Sequence, residues 1–302
     1  MKLTKKIALG LSYIMRKTPI GHIVPDKLFL YINFYGYIGH KLNLENPKSF
    51  NEKLQWIKLY NRKPEYREMV DKYEAKNYVA RMIGEEYIIP TLGVWDRFED
   101  IDFNELPEQF VLKCTHDSGG LVICPDKSKL DIEKARKKIN KSLRRNYFWH
   151  GREWPYKDLK PRIIAEEFMV DESGVELKDY KLMCFNGEYK ATFVCSDRYS
   201  EKGLHTTYFD RDWKVLPFTR HYPYLKEGLP KPQSYEKMIE LAEILAKDIP
   251  FVRIDFYEIY GKIYFGEITF FPGSGNAEFV PSKWDEIVGS WIKLPEEKIT
   301  EK

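Results

Sequence analysis

The most informative segment of the chain is FVRIDFYEIYGKIYFGEITF, residues 251–270. Apolar, β-branched and aromatic residues dominate it on both sides of Tyr260-Gly261, a pair that is typical of a tight turn. The stretch therefore predicts two antiparallel strands, Phe251–Tyr257 and Ile263–Phe270, joined by a short hairpin turn.

Two carboxylates lie inside these predicted strands, Asp255 in the first and Glu267 in the second. A carboxylate in an apolar strand is costly unless it is paired or bound to a metal, and two on adjacent strands can share a hard cation such as Mg²⁺. Thr269 faces the same side as Glu267 because it lies two residues further along the strand. The alternative is that Asp255 pairs with Arg253 while Glu267 faces solvent.

A lysine and a small loop follow a second predicted strand in FVLKCTHDSGGLVI, residues 110–123. Lys113 lies near the end of the strand, and Ser118-Gly119-Gly120 form the loop. An ammonium group beside free backbone N–H groups is typical of a phosphate site, and glycine lets a loop approach a triphosphate closely. The alternative is a simple hairpin with a Gly-Gly turn and a solvent-directed lysine.

Two adjacent glutamates, Glu166 and Glu167, follow the apolar residues of a third predicted strand, residues 162–169. Side chains alternate along a strand, so one of the two must face the core. A purine amino group would be a natural partner for that carboxylate. The alternative is a strand that simply ends in polar residues.

The rest of the chain indicates the α+β class. Residues 1–70 are predicted to be mostly helical, with a capping box at Ser49 and Glu52. A short strand is predicted at Tyr87–Ile89. The strands come in runs and not in regular alternation with helices, which argues against a doubly wound sheet.

The order of these segments resembles the ATP-grasp superfamily, and more closely the TupA-like ATP-grasp group found with polysaccharide and teichuronopeptide biosynthesis. The resemblance runs from about Leu42 to Pro295 and is carried by residues 42–54, 71–72, 110–120, 163–169, 179–181 and 265–275. It implies an ATP-grasp fold in which two α+β subdomains clasp ATP. The implied domains are an N-terminal helical cap region at 1–70 and an ATP-grasp domain at 71–302, divided into 71–165 and 166–302.

The resemblance also implies which residues bind the nucleotide. Lys72 and Lys113 would hold the ATP phosphates, and Ser118, Gly119 and Gly120 would cover them. Asp179 would reach the ribose. The hinge that binds adenine would consist of Glu166, Glu167, Phe168 and Met169.

A further set of implied residues concerns the metal and the chemistry. Asp255 and Glu267 would hold Mg²⁺ together with Thr269, which stands where ATP-grasp proteins typically carry Asn. Arg253 would stabilise the anionic transition state, and Lys181 would contact the phosphates or the substrate. His116-Asp117 make the phosphate loop less rich in glycine than is usual.

The implied reaction joins a carboxylate to an amine through an acyl phosphate, in cell-surface polysaccharide biosynthesis. The carboxylate would belong to a uronic acid or an amino acid. Residues that could hold an anionic substrate are Arg198, His205, Arg220, His221 and the segment Trp149–Arg152. The alternative for each is an ordinary surface-loop residue.

Two other classes of function remain open at this point. Asp210-Arg-Asp212 is a DxD triplet of the kind with which nucleotide-sugar glycosyltransferases hold a metal, although a turn explains it equally well. The other class is a non-catalytic nucleotide-binding relative, which Thr269 in place of Asn makes conceivable.

Composition limits the partners and the location. The net charge is +3 and there is no basic stripe, so no nucleic acid is expected to bind. The four cysteines lack metal-binding spacing and are expected to be reduced in a cytoplasmic protein.

The first 20 residues combine basic and apolar side chains, and the apolar run 7–14 is too short to span a bilayer. They would form either an amphipathic helix on the inner face of the cell membrane or an ordinary packed helix with a solvated basic face. The basic residues are Lys2, Lys5, Lys6, Arg16 and Lys17.

Overall fold

The computed structural model describes residues 3–174, 177–197 and 203–300. Five helices occupy the first part of the chain: α1 Leu3–Lys17, α2 Ile20–Ile23, α3 Asp26–Ile38, α4 Phe50–Tyr60 and α5 Tyr66–Val70. The predicted capping box is present, since Ser49 accepts from the Glu52 backbone and the Glu52 side chain returns to Ser49. It fixes the start of α4, whose apolar side chains then enter the core.

A four-stranded antiparallel sheet follows, with strand order β1-β4-β2-β3. Its strands are β1 Thr91–Trp95, β2 Phe110–Cys114, β3 Leu121–Cys124 and β4 Ile163–Glu167. The helices around it are α6 Glu74–Ile83, α7 Ile132–Leu143 and α8 Phe148–Gly151. The strand predicted at Tyr87–Ile89 is wrong: a 3₁₀ turn covers Glu85–Tyr87, and pairing begins at Thr91, after Pro90, which lacks the N–H group a ladder needs.

The second sheet is also antiparallel, with strand order β10-β9-β5-β6-β7-β8. Its strands are β5 Asp179–Phe185, β6 Glu188–Ser196, β7 His205–Phe209, β8 Val215–Leu216, β9 Phe251–Ile259 and β10 Lys262–Thr269. Helices α9 Tyr235–Leu245 and α10 Lys283–Ser290 belong to this part of the chain. Runs of antiparallel strands with separate helices confirm the predicted α+β class.

The two sheets have different hydrophobic cores. The first sheet and α7 share a small core, whereas the second sheet shares a larger one with the N-terminal helices and α9. The predicted division at 165/166 falls inside β4, which ends at Glu167. Three of the four cysteines, Cys114, Cys124 and Cys184, are buried free thiols within these cores.

Register between the last strands sets the position of the acidic residues. A β-bulge between Phe265 and Glu267 places Glu267 directly opposite Asp255. Lys181 of β5 lies opposite Asp255 on the other side of β9. Three charged residues therefore line up across three adjacent strands.

Candidate active site

A buried carboxylate organises the first sheet's side of the site. Glu166 is 4% exposed and forms ion pairs with Lys113 of β2 and, at 2.7 Å, with Lys76 of α6. Lys76 also donates to the carbonyl of Ile89 at 2.7 Å. Glu166 thus faces inward, as one of the two glutamates had to, while Glu167 is exposed.

The opposite charges of this cluster stabilise one another's ionised forms. Burial alone would raise the pKa of Glu166, but the ammonium groups of Lys113 and Lys76 hold it below its ordinary value. Burial lowers the pKa of Lys76, partly offset by Glu166. The carboxylate therefore stays ionised and holds both lysines in place.

The loop after β2 is anchored from below. Asp117 is buried, pairs with Ser142 and lies 3.0 Å from the Arg145 guanidinium. Its carbonyl accepts a hydrogen bond from Lys72 at 2.5 Å. Gly119 has a φ of +110°, a conformation that glycine adopts readily. His116 and Asp117, the two residues that make this loop less rich in glycine, are thus its anchors.

A charged network crosses the second sheet. The Asp255 carboxylate is 2% exposed and accepts from Arg253 at 2.6 and 2.7 Å and from Lys181 at 2.6 Å. Lys181 also pairs with Asp179. The Arg253–Asp255 ion pair of the alternative interpretation is therefore present, but it is one part of a larger network.

Glu267 and Thr269 extend this network to the surface of the cleft. Glu267 is 35% exposed, with one oxygen 3.5 Å from Arg253 and the other 3.9 Å from Lys72. Thr269 accepts from Arg253 at 2.9 Å and donates to Glu267 at 3.3 Å. Within the described ranges no group of three His, Cys, Asp or Glu side chains is arranged to hold a metal.

Burial and neighbouring charges both shift the pKa values of the groups in this network. Burial would raise the pKa of Asp255, but Arg253 and Lys181 lower it. The carboxylates of Asp179 and Asp255 raise the pKa of Lys181 despite burial, and Asp255 does the same for Arg253. Burial raises the pKa of Asp179.

Three cavities adjoin one another along the cleft. The first is about 340 Å³ and mostly apolar, the second is about 210 Å³ and lies beneath the loop, and the third is about 360 Å³ and polar. The first and second share Lys113, Leu121, Glu166 and Tyr257 as walls. The second and third share Ser118 and Glu267.

Most of the predicted site residues line these cavities. The first has Glu166, Glu167, Phe168, Met169 and Asp179; the second has Lys72, Lys113, Ser118, Gly119, Gly120 and Glu267; the third has Arg253, Glu267 and Thr269. Lys181 and Asp255 line none of the three, as the described residues define them, because both side chains lie within the network below the surface.

Of the single residues predicted to hold an anionic substrate, few line the cavities. Arg198 lies outside the described residues. His205 lies beside Asp197 and outside all three cavities, and the buried Arg220 packs over Phe50 and Phe279. His221 does line the third cavity.

Within the segment Trp149–Arg152, one residue lines a cavity and another is buried in the core. His150 lines the third cavity, and burial followed by the charge of Arg16 lowers its pKa to about 4. Arg152 is fully buried, 3.0 Å from Asp26, and supports the core.

Sequence reasoning missed several residues of the cleft. Lys76 lies four residues after Lys72, a spacing that would have placed both on one helical face. Tyr257 lines two cavities, but nothing distinguishes it among the chain's tyrosines. Arg16, Asn33 and Tyr37 reach the third cavity from the N-terminal helices, which only the tertiary fold reveals.

A cleft between two α+β halves, with a lysine-and-glycine side facing an acidic-strand side, defines an ATP-grasp protein. More particularly, the chain belongs to the TupA-like ATP-grasp family, whose model matches residues 52–293. A comparison with curated protein sequences gives no match.

Solved structures provide more distant likenesses. The ADP complex of PurK, N5-carboxyaminoimidazole ribonucleotide synthetase, is 16% identical with a TM-score of 0.43, covering 72% of this chain and 50% of that one. A D-alanine–D-alanine ligase from Bacillus anthracis is 17% identical with a TM-score of 0.43, covering 80% and 65%. The ATP-grasp ligase PsnB is 10% identical with a TM-score of 0.41, covering 80% and 66%.

Proposed function

We propose that this protein is an ATP-dependent carboxylate–amine ligase. The observation that carries the proposal is the order of the three adjoining cavities. An apolar cavity, a cavity lined by lysine and glycine, and a polar cavity share walls in that sequence. This order suits a base, a triphosphate and an acceptor laid end to end.

The first cavity suits the nucleoside. Its aliphatic walls would enclose an adenine ring, and the hinge Phe168–Met169 lies at its edge. Asp179 lines the same cavity, and its Oδ1 atom is buried without a hydrogen-bond partner among the described residues. A buried acceptor of this kind is costly unless a donor reaches it, and a ribose hydroxyl would supply one.

The second cavity suits the phosphates. Lys72 and Lys113 contribute ammonium groups, and the backbone of Ser118–Gly120 lies over the cavity. Charge-assisted hydrogen bonds from lysine and backbone N–H groups are the usual means of holding phosphate oxygens. Glu166 holds Lys113 in position for this role.

The junction of the second and third cavities suits a divalent cation. Asp255 and Glu267 are opposite one another in register, and Glu267 lines both cavities. Carboxylate oxygens are the ligands that Mg²⁺ prefers. Glu267 and Thr269, which line the third cavity, would hold Mg²⁺, which when bound would neutralise phosphate charge, and Asp255, whose two oxygens accept from Arg253 and Lys181, would support this site from below.

The reaction follows from these positions. A carboxylate oxygen of the substrate attacks the γ-phosphorus, the bond to the β-phosphate oxygen breaks, and ADP leaves. An amine then attacks the acyl carbon, loses a proton and displaces inorganic phosphate. Arg253 lines the third cavity and would stabilise the oxyanion that forms in this second step.

The third cavity suits a hydroxylated, acidic acceptor. Its lining includes Arg16 and Arg253, neutral His150, Tyr147 and Tyr156, together with the carboxyl groups of Glu153 and Glu267. This mixture fits a uronic acid or an amino acid of a cell-surface glycan, in polysaccharide biosynthesis. The reaction would then belong to the cytoplasmic side of the membrane.

Measurement of phosphate release with Mg-ATP and a panel of uronic acids and amino acids tests the proposal. Asp255→Asn is expected to lower turnover by about 100-fold or more, because the position of Arg253 depends on that carboxylate. Glu267→Gln should do the same, and because Glu267 is 35% exposed this change does not remove a fully buried charge. Asp212→Asn is the matched control and should act like the wild type.

The same variants separate the other classes of function. Asp210 accepts from the Lys214 backbone at 2.8 Å and Asp212 lies 3.3 Å from the Lys214 side chain, so the DxD triplet forms a hairpin turn. Sugar transfer from a nucleotide sugar that is lost in Asp212→Asn but kept in Asp255→Asn would favour a glycosyltransferase. Calorimetric binding of Mg-ATP without phosphate release on any substrate would favour a non-catalytic relative.

A further inference from the structure

Helix α1 turns its apolar face outward. The residues that it buries are Ala8, Ser12 and Met15. Four large aliphatic residues are instead exposed: Leu3 by 72%, Ile7 by 54%, Leu11 by 47% and Ile14 by 46%. At 100° per residue these four lie within an arc of about 80° and form one stripe, here called the α1 stripe. An ordinary packed helix would bury such a stripe.

The exposed aliphatic side chains continue beyond α1. Ile20 is 55% exposed and Ile23 is 82% exposed, at the two ends of α2. Single exposed aliphatic residues are common on protein surfaces, but a series of six within 21 residues marks an interaction site. Among the described residues no helix is long and apolar enough to cross a bilayer.

Contacts on the other side of α1 fix this orientation. Ser12 donates to Asn33 of α3 at 2.5 Å in a buried hydrogen bond, and the Arg16 guanidinium donates to Tyr37 at 3.1 Å. Gly36 of α3 admits Leu9, because a Cβ atom at Gly36 would lie 3.1 Å from the Leu9 side chain. Rotating α1 to bury its stripe would break these contacts.

The charge of this segment is entirely positive. Residues 1–25 contain five Lys and Arg residues and no Asp or Glu. Lys6 and Lys17 are exposed and flank the α1 stripe on one side. The first acidic residue, Asp26, is engaged by Arg62 at 2.6 Å and Arg152 at 3.0 Å.

We propose that α1 and α2 dock on an anionic phospholipid membrane, with the α1 stripe among the acyl chains and Lys6 and Lys17 at the headgroups. An apolar stripe flanked by basic residues fits such a surface. A second copy of the chain fits less well, because a two-fold contact through this face would bring the same basic residues together.

Docking would also place the third cavity near the membrane. Arg16 belongs to α1 and lines that cavity with Tyr37, on the side of the helix away from the stripe. The cavity would lie about one helix diameter, roughly 10 Å, from the headgroups. An acceptor attached to a lipid could reach it there.

Sedimentation with vesicles tests the proposal. The wild type is expected to bind vesicles of equimolar phosphatidylcholine and phosphatidylglycerol, more weakly as salt is added, and not vesicles of phosphatidylcholine alone. Ile7→Gln/Ile14→Gln should lower the partition coefficient by about tenfold or more. Lys6→Gln/Lys17→Gln should reduce the preference for the anionic lipid.

Ile244→Gln is the matched control, because Ile244 is 37% exposed on a different helix and should not affect vesicle binding. Equal binding by the wild type and Ile7→Gln/Ile14→Gln, or no binding by the wild type, would overturn the proposal. So would light scattering that shows a wild-type dimer and a monomeric stripe variant. Membrane docking does not depend on ligase activity, because phosphate release with a soluble substrate should be the same in the wild type and in Ile7→Gln/Ile14→Gln.

Discussion

Glu166 shows how one buried residue can set the geometry of a binding site. Its carboxylate lies between Lys76 and Lys113, which come from different elements and would otherwise repel one another. Removing one partner of a buried charge cluster leaves the others uncompensated, which is more costly than never forming the pair. Glu166 therefore serves stability and lysine placement together.

Glu166→Gln is expected to lower the free energy of unfolding by about 3 kcal/mol, because two lysines would lose their counter-charge. Urea denaturation at neutral pH measures this. Glu167→Gln, at the exposed neighbouring residue, is the control and should change the value by less than about 0.5 kcal/mol.

The pH dependence of this difference has a definite sign. The pKa of Glu166 is lowered in the folded state, so its contribution is complete above its ordinary value of 4.5. It is lost as the pH falls through the folded pKa. The difference in the free energy of unfolding between the wild type and Glu166→Gln should therefore become smaller in acid and stay constant from pH 6 to 8. A difference that grows in acid would contradict the ionised state assigned to Glu166.

Among the elements, the loop from Thr115 to Gly120 covers the second cavity and is held by side-chain contacts on its other side. Asp117 and His116 bind residues at the end of α7, and the glycines follow. The sequence showed the glycines but not the anchoring, because the partners Ser142 and Arg145 lie 25 and more residues away.

Helix α1 gives a second example at this level. Periodicity predicts the helix, but its contacts with α3 determine which of its faces is exposed.

Gly120→Ala tests how closely this loop is packed. An added Cβ would lie 2.7 Å from Cys114 and close to Ser142, so we expect a loss of about 1–3 kcal/mol of stability and weaker ATP binding. Gly10→Ala, where no atom lies within 4 Å, should instead stabilise the protein by up to about 1 kcal/mol. Thermal unfolding compares the two, and equal effects would show that the loop can relax.

At the scale of the whole molecule, the cleft lies between two sheets that have separate cores. Lys72, which precedes α6, lies 3.9 Å from Glu267 of β10 and so approaches the second sheet from the first. A ligand that contacts both sheets would stabilise their relative position. Ligand binding across the cleft therefore requires both sheets.

Mg-ATP is therefore expected to raise the thermal unfolding temperature. Binding at 100 times Kd adds about 2.7 kcal/mol of stability by mass action. Lys72→Met should reduce this shift by at least half at the same ATP concentration, whereas Lys190→Met, at a half-buried lysine of β6 outside the three cavities, should leave it intact. A full shift in Lys72→Met would show that Lys72 does not contact the nucleotide.

Local sequence patterns predict the α+β class, the strands that carry Lys113, Glu166, Asp255 and Glu267, and the capping box of α4. These depend on local periodicity, turn residues and the cost of a buried charge, all of which can be read within about ten residues.

The identity of the charges that meet depends on the folded chain and on no local pattern. Lys76 pairs with Glu166, and Asp255 pairs with both Lys181 and Arg253. Arg16 reaches the third cavity from the N-terminal helices. Arg220 and Arg152, which seemed suited to an anionic substrate, became buried supports of the core. The physical reason is that a charged side chain takes the partners that packing brings to it, and packing joins residues that are far apart in the chain.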